Sequence, residues 1–295
     1  MNFRLHLPPG LTACVHTAMA TELVFHLGGH EPAYLRQAAM EAFALIDQLE
    51  ARLSFYRESS DVTRINRAAA GANVSVGPET LACLEVAAEA AQLTGGAFDA
   101  FTGRAAVAAK QQEIPLHLVG APEPGANDLP GPVVSLHPEF GQVGKLRAGP
   151  WLDLGALGKG FALDQAAALL AEWGITTGVL IAGGSSLRGL GAAGWTLELE
   201  PAHTWLALPG GFCLGASGFA FQPGHVIDSR PAPVKTSAAR ALVLAPSAAL
   251  ADALSTAALL LRADFLAQLT RNQPGIASLV FNASGQSHRH GPPFA

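Results

Sequence analysis

Four short strand-like runs, near residues 177–182, 194–200, 204–208 and 212–216, follow one another with few residues between them. A crossover between parallel strands needs about a dozen residues or more, usually a helix. The gaps here are shorter, and the first is rich in glycine, so the runs are expected to pair with their neighbours as a meander. Helical patterns flank them. Pro32 opens a long one, in which Leu35, Ala39, Phe43, Ile46, Leu49 and Leu53 recur at steps of three and four. A second runs from about Glu79 to Leu93, with Pro78 at its start and Gly95-Gly96 as its stop. Others span about Lys159 to Trp173, Ser247 to Leu261, and 264–272. Further strand-like runs lie at 15–28, 133–137, 141–147, 240–244 and 277–281. Hairpin-like neighbours outnumber βαβ units, which predicts an α+β fold of mixed antiparallel sheets with packed helices. The stretch 54–66 reads as a polar turn and 222–238 as a loop. Pro115, Pro122, Pro124 and Pro130 mark 113–131 as a loop excursion within a single domain, 1–295.

Hydrophobic residues make up 49% of the chain and charged residues 14%, against about 25% in an average domain. That supplies a large core and argues against disorder. The net charge is −5 and the isoelectric point near 6.0, so no basic face for nucleic acid is implied. An anionic substrate would need local help, from a metal or from backbone N–H groups. No apolar run reaches the roughly 18 residues of a membrane span. The three cysteines, Cys14, Cys83 and Cys213, match no disulfide or zinc spacing, and a reducing, cytoplasmic setting is expected. Leu11-Thr12-Ala13-Cys14 looks like a lipobox. The preceding stretch, with His6, Pro8 and Pro9, lacks an apolar signal region, so Cys14 is expected to be an ordinary residue entering a strand.

Several segments invite chemistry. Gly189-Leu-Gly191-Ala-Ala-Gly194 is a literal dinucleotide fingerprint, but the next residues alternate like a strand where a helix is required, so it reads as a hairpin turn. Asp153 to Asp164 places Gly155, Gly158, Lys159 and Gly160 at a helix start, where free N–H groups and a cation suit a phosphate. A tight turn into a surface helix explains the same spacing. Asp252 and Thr256 are i and i+4 on one helix face, with Ser255 beside them. A carboxylate with two hydroxyls is a hard, oxygen-only set suited to magnesium or calcium. Hydroxyls bonded to their own helix backbone are the alternative. His225, three residues before Asp228, is either an acid/base or a packed loop residue. His288 and His290 read as part of a solvated tail.

Taken together, these pieces resemble the ApbE family of FAD:protein FMN transferases from about Met19 to Leu261, in family order. Met19-Ala-Thr21 is similar to the family's Met-Gly-Thr. Leu53-Ser-Phe-Tyr56 with Ser60 and Asn66 resembles the next conserved stretch. Gly96-Ala-Phe-Asp99, Asp153 to Asp164, Ala182-Gly-Gly184, Ala216-Ser-Gly218, His225-Val-Ile-Asp228 and Ala251-Asp-Ala-Leu-Ser-Thr256 follow. The resemblance implies a T-fold-related architecture. It implies FAD contacts from Met19, Tyr56, Ala97, Phe98, Asp99, Asp153, Lys159 and Val226. It also implies magnesium held by the Ala156 carbonyl with Asp252, Ser255 and Thr256. The implied reaction splits the FAD pyrophosphate and transfers FMN to a Thr or Ser hydroxyl of an acceptor flavoprotein, releasing AMP. His225 would help deprotonate that hydroxyl. The chain departs from the pattern at Ser185 after the glycine pair and at Ser229-Arg230-Pro231-Ala232, where the family has a Pro-x-Thr-Gly loop. That departure keeps open an FAD-binding or FAD-hydrolysing relative without a protein acceptor. A scaffold that binds no flavin is the third alternative.

Overall fold

The computed structural model describes residues 3–123, 131–199, 204–219, 226–233, 236–292 and 294. Among these, seven α-helices accompany three antiparallel sheets. The helices are α1 (Pro32–Leu53), α2 (Asp61–Arg67), α3 (Pro78–Leu93), α4 (Gly103–Ala109), α5 (Gly158–Glu172), α6 (Ala248–Ala258) and α7 (Ala263–Asn272). The central sheet has eight strands. In chain order they are β2 (Thr12–Ala18), β3 (Thr21–Gly28), β7 (Thr177–Ala182), β8 (Ser186–Leu190), β11 (Cys213–Gly218), β12 (Ala238–Leu244), β13 (Ala277–Asn282) and β14 (Ser287–His290). In space they run β14-β13-β12-β11-β8-β7-β3-β2. A small sheet pairs β9 (Trp195–Leu199) with β1 (Phe3–His6) and β10 (Thr204–Leu208). Another pairs β6 (Gln142–Lys145) with β4 (Asn73–Ser75) and β5 (Val134–His137).

Both faces of the central sheet are covered. On one face, α1, α5 and α6 bury the main core with Phe25, Leu180, Ala241 and Val243. On the other face, Val179, Leu187, Leu242 and Leu244 meet Trp195, Leu197, Leu206 and Leu208 of the small sheet. Successive residues of a strand point to opposite faces, so a strand buried on both sides is apolar throughout. That explains the unbroken run Ala241-Leu-Val-Leu244.

The α+β class is as predicted, but four local expectations are corrected. The four runs between 177 and 216 do not form one meander. The strands β7, β8 and β11 belong to the central sheet, whereas β9 and β10 form a hairpin in the small one. The glycine-rich turn at 189–194 therefore carries the chain between sheets and closes no hairpin. A Cβ at Gly191 would lie 2.0 Å from the Thr176 carbonyl oxygen, so the chain can leave the sheet there only through glycine. The polar stretch 54–66 contains most of α2, whose N-cap Ser60 accepts a bond from Thr63 N at 3.0 Å. Asn66 at its end is buried and pairs with both backbone groups of Leu152. Residues 287–290 form an edge strand in place of a tail; His288 is exposed as expected, whereas His290 is half-buried. The short elements β1, β4 and α4 carry too few residues for a visible period. Cys14 lies within β2, paired with Phe25, and all three cysteines are free. No helix among the described residues is long and apolar enough to cross a membrane.

Helices α5 and α6 approach very closely. A Cβ on Gly160 would stand 2.1 Å from the Ala248 carbonyl oxygen, whereas one on Gly158 would meet nothing within 4 Å. Backbone cannot rotate away as a side-chain tip can. Gly160→Ala should therefore cost about 3 kcal/mol of stability, while Gly158→Ala should stay within about 1 kcal/mol of the parent. Denaturant melts of the two variants test this, and equal effects would refute the close-approach account.

Candidate active site

A cleft of about 180 Å³ opens where the β2–β3 turn, the end of α1 and the start of α5 meet. Its lining includes Met19, Tyr56, Asp153 and Lys159, four residues that the sequence marked from three distant motifs. A larger cavity of about 750 Å³ lies beside α3 and α5, lined by Glu85, Glu89 and Arg188 among others. It holds none of the predicted site residues.

Each wall of the cleft has a local cause. Ala18 pairs with Thr21, so Met19 and Ala20 alone make the hairpin turn. Both sit in the left-handed region, at φ 52° and 56°. That backbone matches the twist of a two-residue hairpin but costs a residue with a Cβ about 1–2 kcal/mol. Tyr56 is 59% exposed, with its backbone N–H donating to Ser54 Oγ at 3.1 Å. Its ring is available as a stacking face. Burial, and then the Asp153 charge, push the Tyr56 phenol above its ordinary pKa. Asp153 accepts from Gly155 N at 2.9 Å and so holds the turn that leads into α5.

The Gly96–Asp99 turn is placed differently. Ala97 and Phe98 are 2% exposed and their side chains belong to the core, which leaves only backbone of that pair for a ligand. Asp99 accepts from Phe101 N and from Ser229 Oγ, both at 2.8 Å. It borders a separate cavity with Arg147 and Phe101, so the structure does not bring it into the Met19–Lys159 cleft. Val226 is half-buried against the main core. His225 lies outside the described residues.

The oxygen cluster begins one residue beyond Lys159. The Gly160 N–H is one of the donors that a helix start leaves without an intrahelical partner. It donates to Asp252 Oδ2 at 2.9 Å, and Ser186 Oγ donates to the same oxygen at 2.7 Å. The arrangement is reciprocated, because Asp164 on α5 accepts from Ala248 N and Ala249 N at the start of α6. Ser255 Oγ donates to the Asp252 carbonyl and lies 2.8 Å from Ser217 Oγ. Thr256 Oγ1 is 3.1 Å from Ser217 Oγ and only loosely placed, at 3.4 Å, on the Asp252 carbonyl. Ser255 is buried and committed to its own helix, the backbone-bonded alternative named above. Thr256 is half-buried and less tightly held.

These residues fit a hard divalent ion. Asp252 is 5% exposed, and among the described residues no cationic side chain lies within ion-pair distance of it. Burial pushes its pKa up to about 7, while the Lys159 charge and the bonds from Ser186 and Gly160 pull the other way. A buried, poorly compensated carboxylate beside hydroxyl oxygens is short of positive charge. Among the described residues no cluster of three His, Cys, Asp or Glu side chains offers a softer metal a site. The Ala156 residue is exposed in the turn before α5, and no backbone N–H is bonded to its carbonyl among the described residues. Three residues of this cluster were not marked by the sequence as parts of a site. Asp164 and Ser217 stood inside recognisable motifs, whereas Ser186 carried no signal; Gly160 was marked, but for a phosphate, and its N–H turns instead to Asp252.

The model of the ApbE family matches residues 16–280. The FAD:protein FMN transferase of Treponema pallidum (strain Nichols) is 27% identical over 285 residues, covering 84% of this chain and 77% of that protein. Among solved structures, a mutant of the flavin transferase ApbE from Vibrio cholerae superposes with a TM-score of 0.77 at 19% identity, covering 97% of this chain and 99% of that one. The ApbE protein of Thermotoga maritima does so with a TM-score of 0.75 at 22% identity, covering 95% and 97%. At such identities the structural likeness carries the fold.

Burial favours the neutral acid of Asp252, so the folded protein binds a proton that the unfolded chain releases between the ordinary carboxylate range and about 7. Without a metal, stability should fall as pH rises through that window and level off above it. Asp164, also raised by burial, adds a contribution of the same sign. Asp252→Asn should flatten the profile. Denaturant midpoints from pH 4 to pH 8 in chelator check this, and a variant whose profile still parallels the parent's would remove Asp252 as the cause.

Proposed function

This chain belongs to the ApbE family, and from that premise we propose that it is an FAD:protein FMN transferase. The observation that supports this best is the convergence of Met19, Tyr56, Asp153 and Lys159 on one cleft, one residue away from the Asp252 cluster. Aromatic, apolar and charged groups there suit the two ends and the middle of a dinucleotide.

In the proposed reaction an acceptor hydroxyl oxygen attacks the FMN phosphorus. A new P–O bond forms to the acceptor, the pyrophosphate P–O bond breaks, and AMP leaves with the electron pair. Tyr56 offers its exposed ring to a flavin or adenine face. Lys159 at the start of α5 directs a fixed positive charge to the pyrophosphate, aided by the helix end itself. Asp252 and Thr256, with the Ala156 carbonyl and Ser255 behind them, would hold magnesium, which when bound supplies neutralisation of charge on the pyrophosphate. Ser186 and Gly160 N–H orient the Asp252 carboxylate for that role. His225 is assigned the proton of the acceptor hydroxyl. Partners are thus FAD and an acceptor flavoprotein with an exposed Thr or Ser. A cytoplasmic setting fits the three free cysteines.

Purified protein mixed with FAD, magnesium and an acceptor domain carrying an exposed threonine should add the mass of one FMN to the acceptor and release one AMP. Asp252→Ala should abolish both. Lys159→Ala should slow transfer by about a hundredfold, the usual loss on removing one group that stabilises developing charge. Intact-mass spectrometry with nucleotide chromatography reads both products. Absence of AMP under every acceptor condition would refute the assignment. Free FMN with AMP and an unmodified acceptor would make the protein a hydrolase.

A further inference from the structure

The segment after His225 departs most from the family pattern, and the structure gives Ser229 and Arg230, the latter at a position that the pattern leaves open, specific work. Arg230 folds back on Asp228 through two parallel bonds, Nε to Oδ1 at 2.8 Å and Nη2 to Oδ2 at 2.7 Å. The same Nη2 donates to the Leu260 carbonyl at 2.8 Å, just beyond the end of α6. Thr236 Oγ1 donates to the neighbouring Leu259 carbonyl at 2.6 Å. These are carbonyls that a helix end leaves without partners, and a cation is favoured there. Next to Arg230, Ser229 Oγ donates to Asp99 Oδ2, and the Arg230 stem packs against Gly96, with Cγ 4.0 Å from where a Cβ would stand. The segment is therefore bolted both to the end of the helix that carries Asp252 and Thr256 and to the 96–99 turn.

We propose that Arg230 is a positioning residue for FMN transfer, whose planar fork locks Asp228 and holds the 226–230 strap between the α6 end and the Asp99 turn. The inference rests on the transferase reading and adds to it a residue that the motif pattern leaves out. The paired bonds to Asp228 fix the rotation of the guanidinium, and its third bond, to Leu260, fixes the reach of the strap. A lysine could reach Asp228 or Leu260 with one ammonium but could not present the parallel pair. Among the described residues, none of these bonds is made to a side chain lining the Met19–Lys159 cleft.

The test compares the parent with Arg230→Ala, Arg230→Lys, Asp228→Asn and the Arg230→Ala/Asp228→Asn double variant. FAD affinity is read by flavin fluorescence, transfer by AMP release at saturating FAD, and folding by melting temperature. Arg230→Ala should lower kcat for transfer by about tenfold or more, with the FAD dissociation constant moved by less than about threefold. Lysine should fail to restore the rate. The double variant should be no slower than the worse single one, since both remove the same lock. Rates within about twofold of the parent, restoration by lysine, or a loss of rate that tracks equal losses of FAD affinity and melting temperature would each overturn the proposal. A parent that releases no AMP would overturn the transferase reading first, before any variant is compared, and this inference with it.

Discussion

The site depends on two carboxylates exchanged between two helix starts. Asp164 of α5 closes the start of α6, and Asp252 of α6 closes the start of α5. These carboxyl oxygens satisfy buried backbone N–H groups that a helix start leaves without partners, and leaving such groups unpaired is costly. Neither helix can slide along the other without losing both. Gly160 makes the exchange possible by removing the Cβ that would strike Ala248, and Gly215 does the same where β11 meets α6, since a Cβ there would lie 2.2 Å from the Ala251 carbonyl oxygen. Helix α6 is thus clamped between α5 and the central sheet by backbone contact. Its polar face is held in one place relative to Lys159.

That clamp also sets the electrostatics. Burying Asp252 raises the free energy of its charged form, and the chain offsets this only partly with Lys159, Ser186 and one N–H. A structural ion pair would have removed the deficit. Leaving it in place keeps a carboxylate that gains from a cation. Across the cleft, the left-handed Met19–Ala20 turn is a second feature with a local cost. Thr21 beside it packs on Gly183, whose positive φ and missing Cβ let the two turns nest. Costs of this kind cluster where geometry serves a ligand.

Much of this was legible in the residues. The long helices announced themselves because apolar side chains at steps of three and four must share a face, whatever they pack against. The i, i+4 relation of Asp252 and Thr256 held for the same reason. The motif resemblance brought Met19, Tyr56, Asp153 and Lys159 together on paper, and the fold gathers them in one cleft. Less was legible where elements were short or where chemistry was shared with structure. Helix α2 spans two turns, too few for a period, though Ser60 was a usable cap signal. Ala97 and Phe98 stood in a motif that looked like a lining, yet their side chains belong to the core. The strands between 177 and 216 were recognisable singly, but alternation says which face is apolar and nothing about which sheet a strand joins.

The sequence by itself determined the α+β class, the long helices and the oxygen character of the cluster, because these follow from local spacing and side-chain chemistry. Tertiary structure decided that Gly160 N–H meets Asp252 across 92 residues and that Asp164 meets Ala248 across 84. It also decided that Ser186 turns to the same carboxylate and that Arg230 reaches Leu260. Such contacts depend on how far one element is shifted along another. That shift is set by close packing of small residues over the whole interface, and no local pattern encodes it.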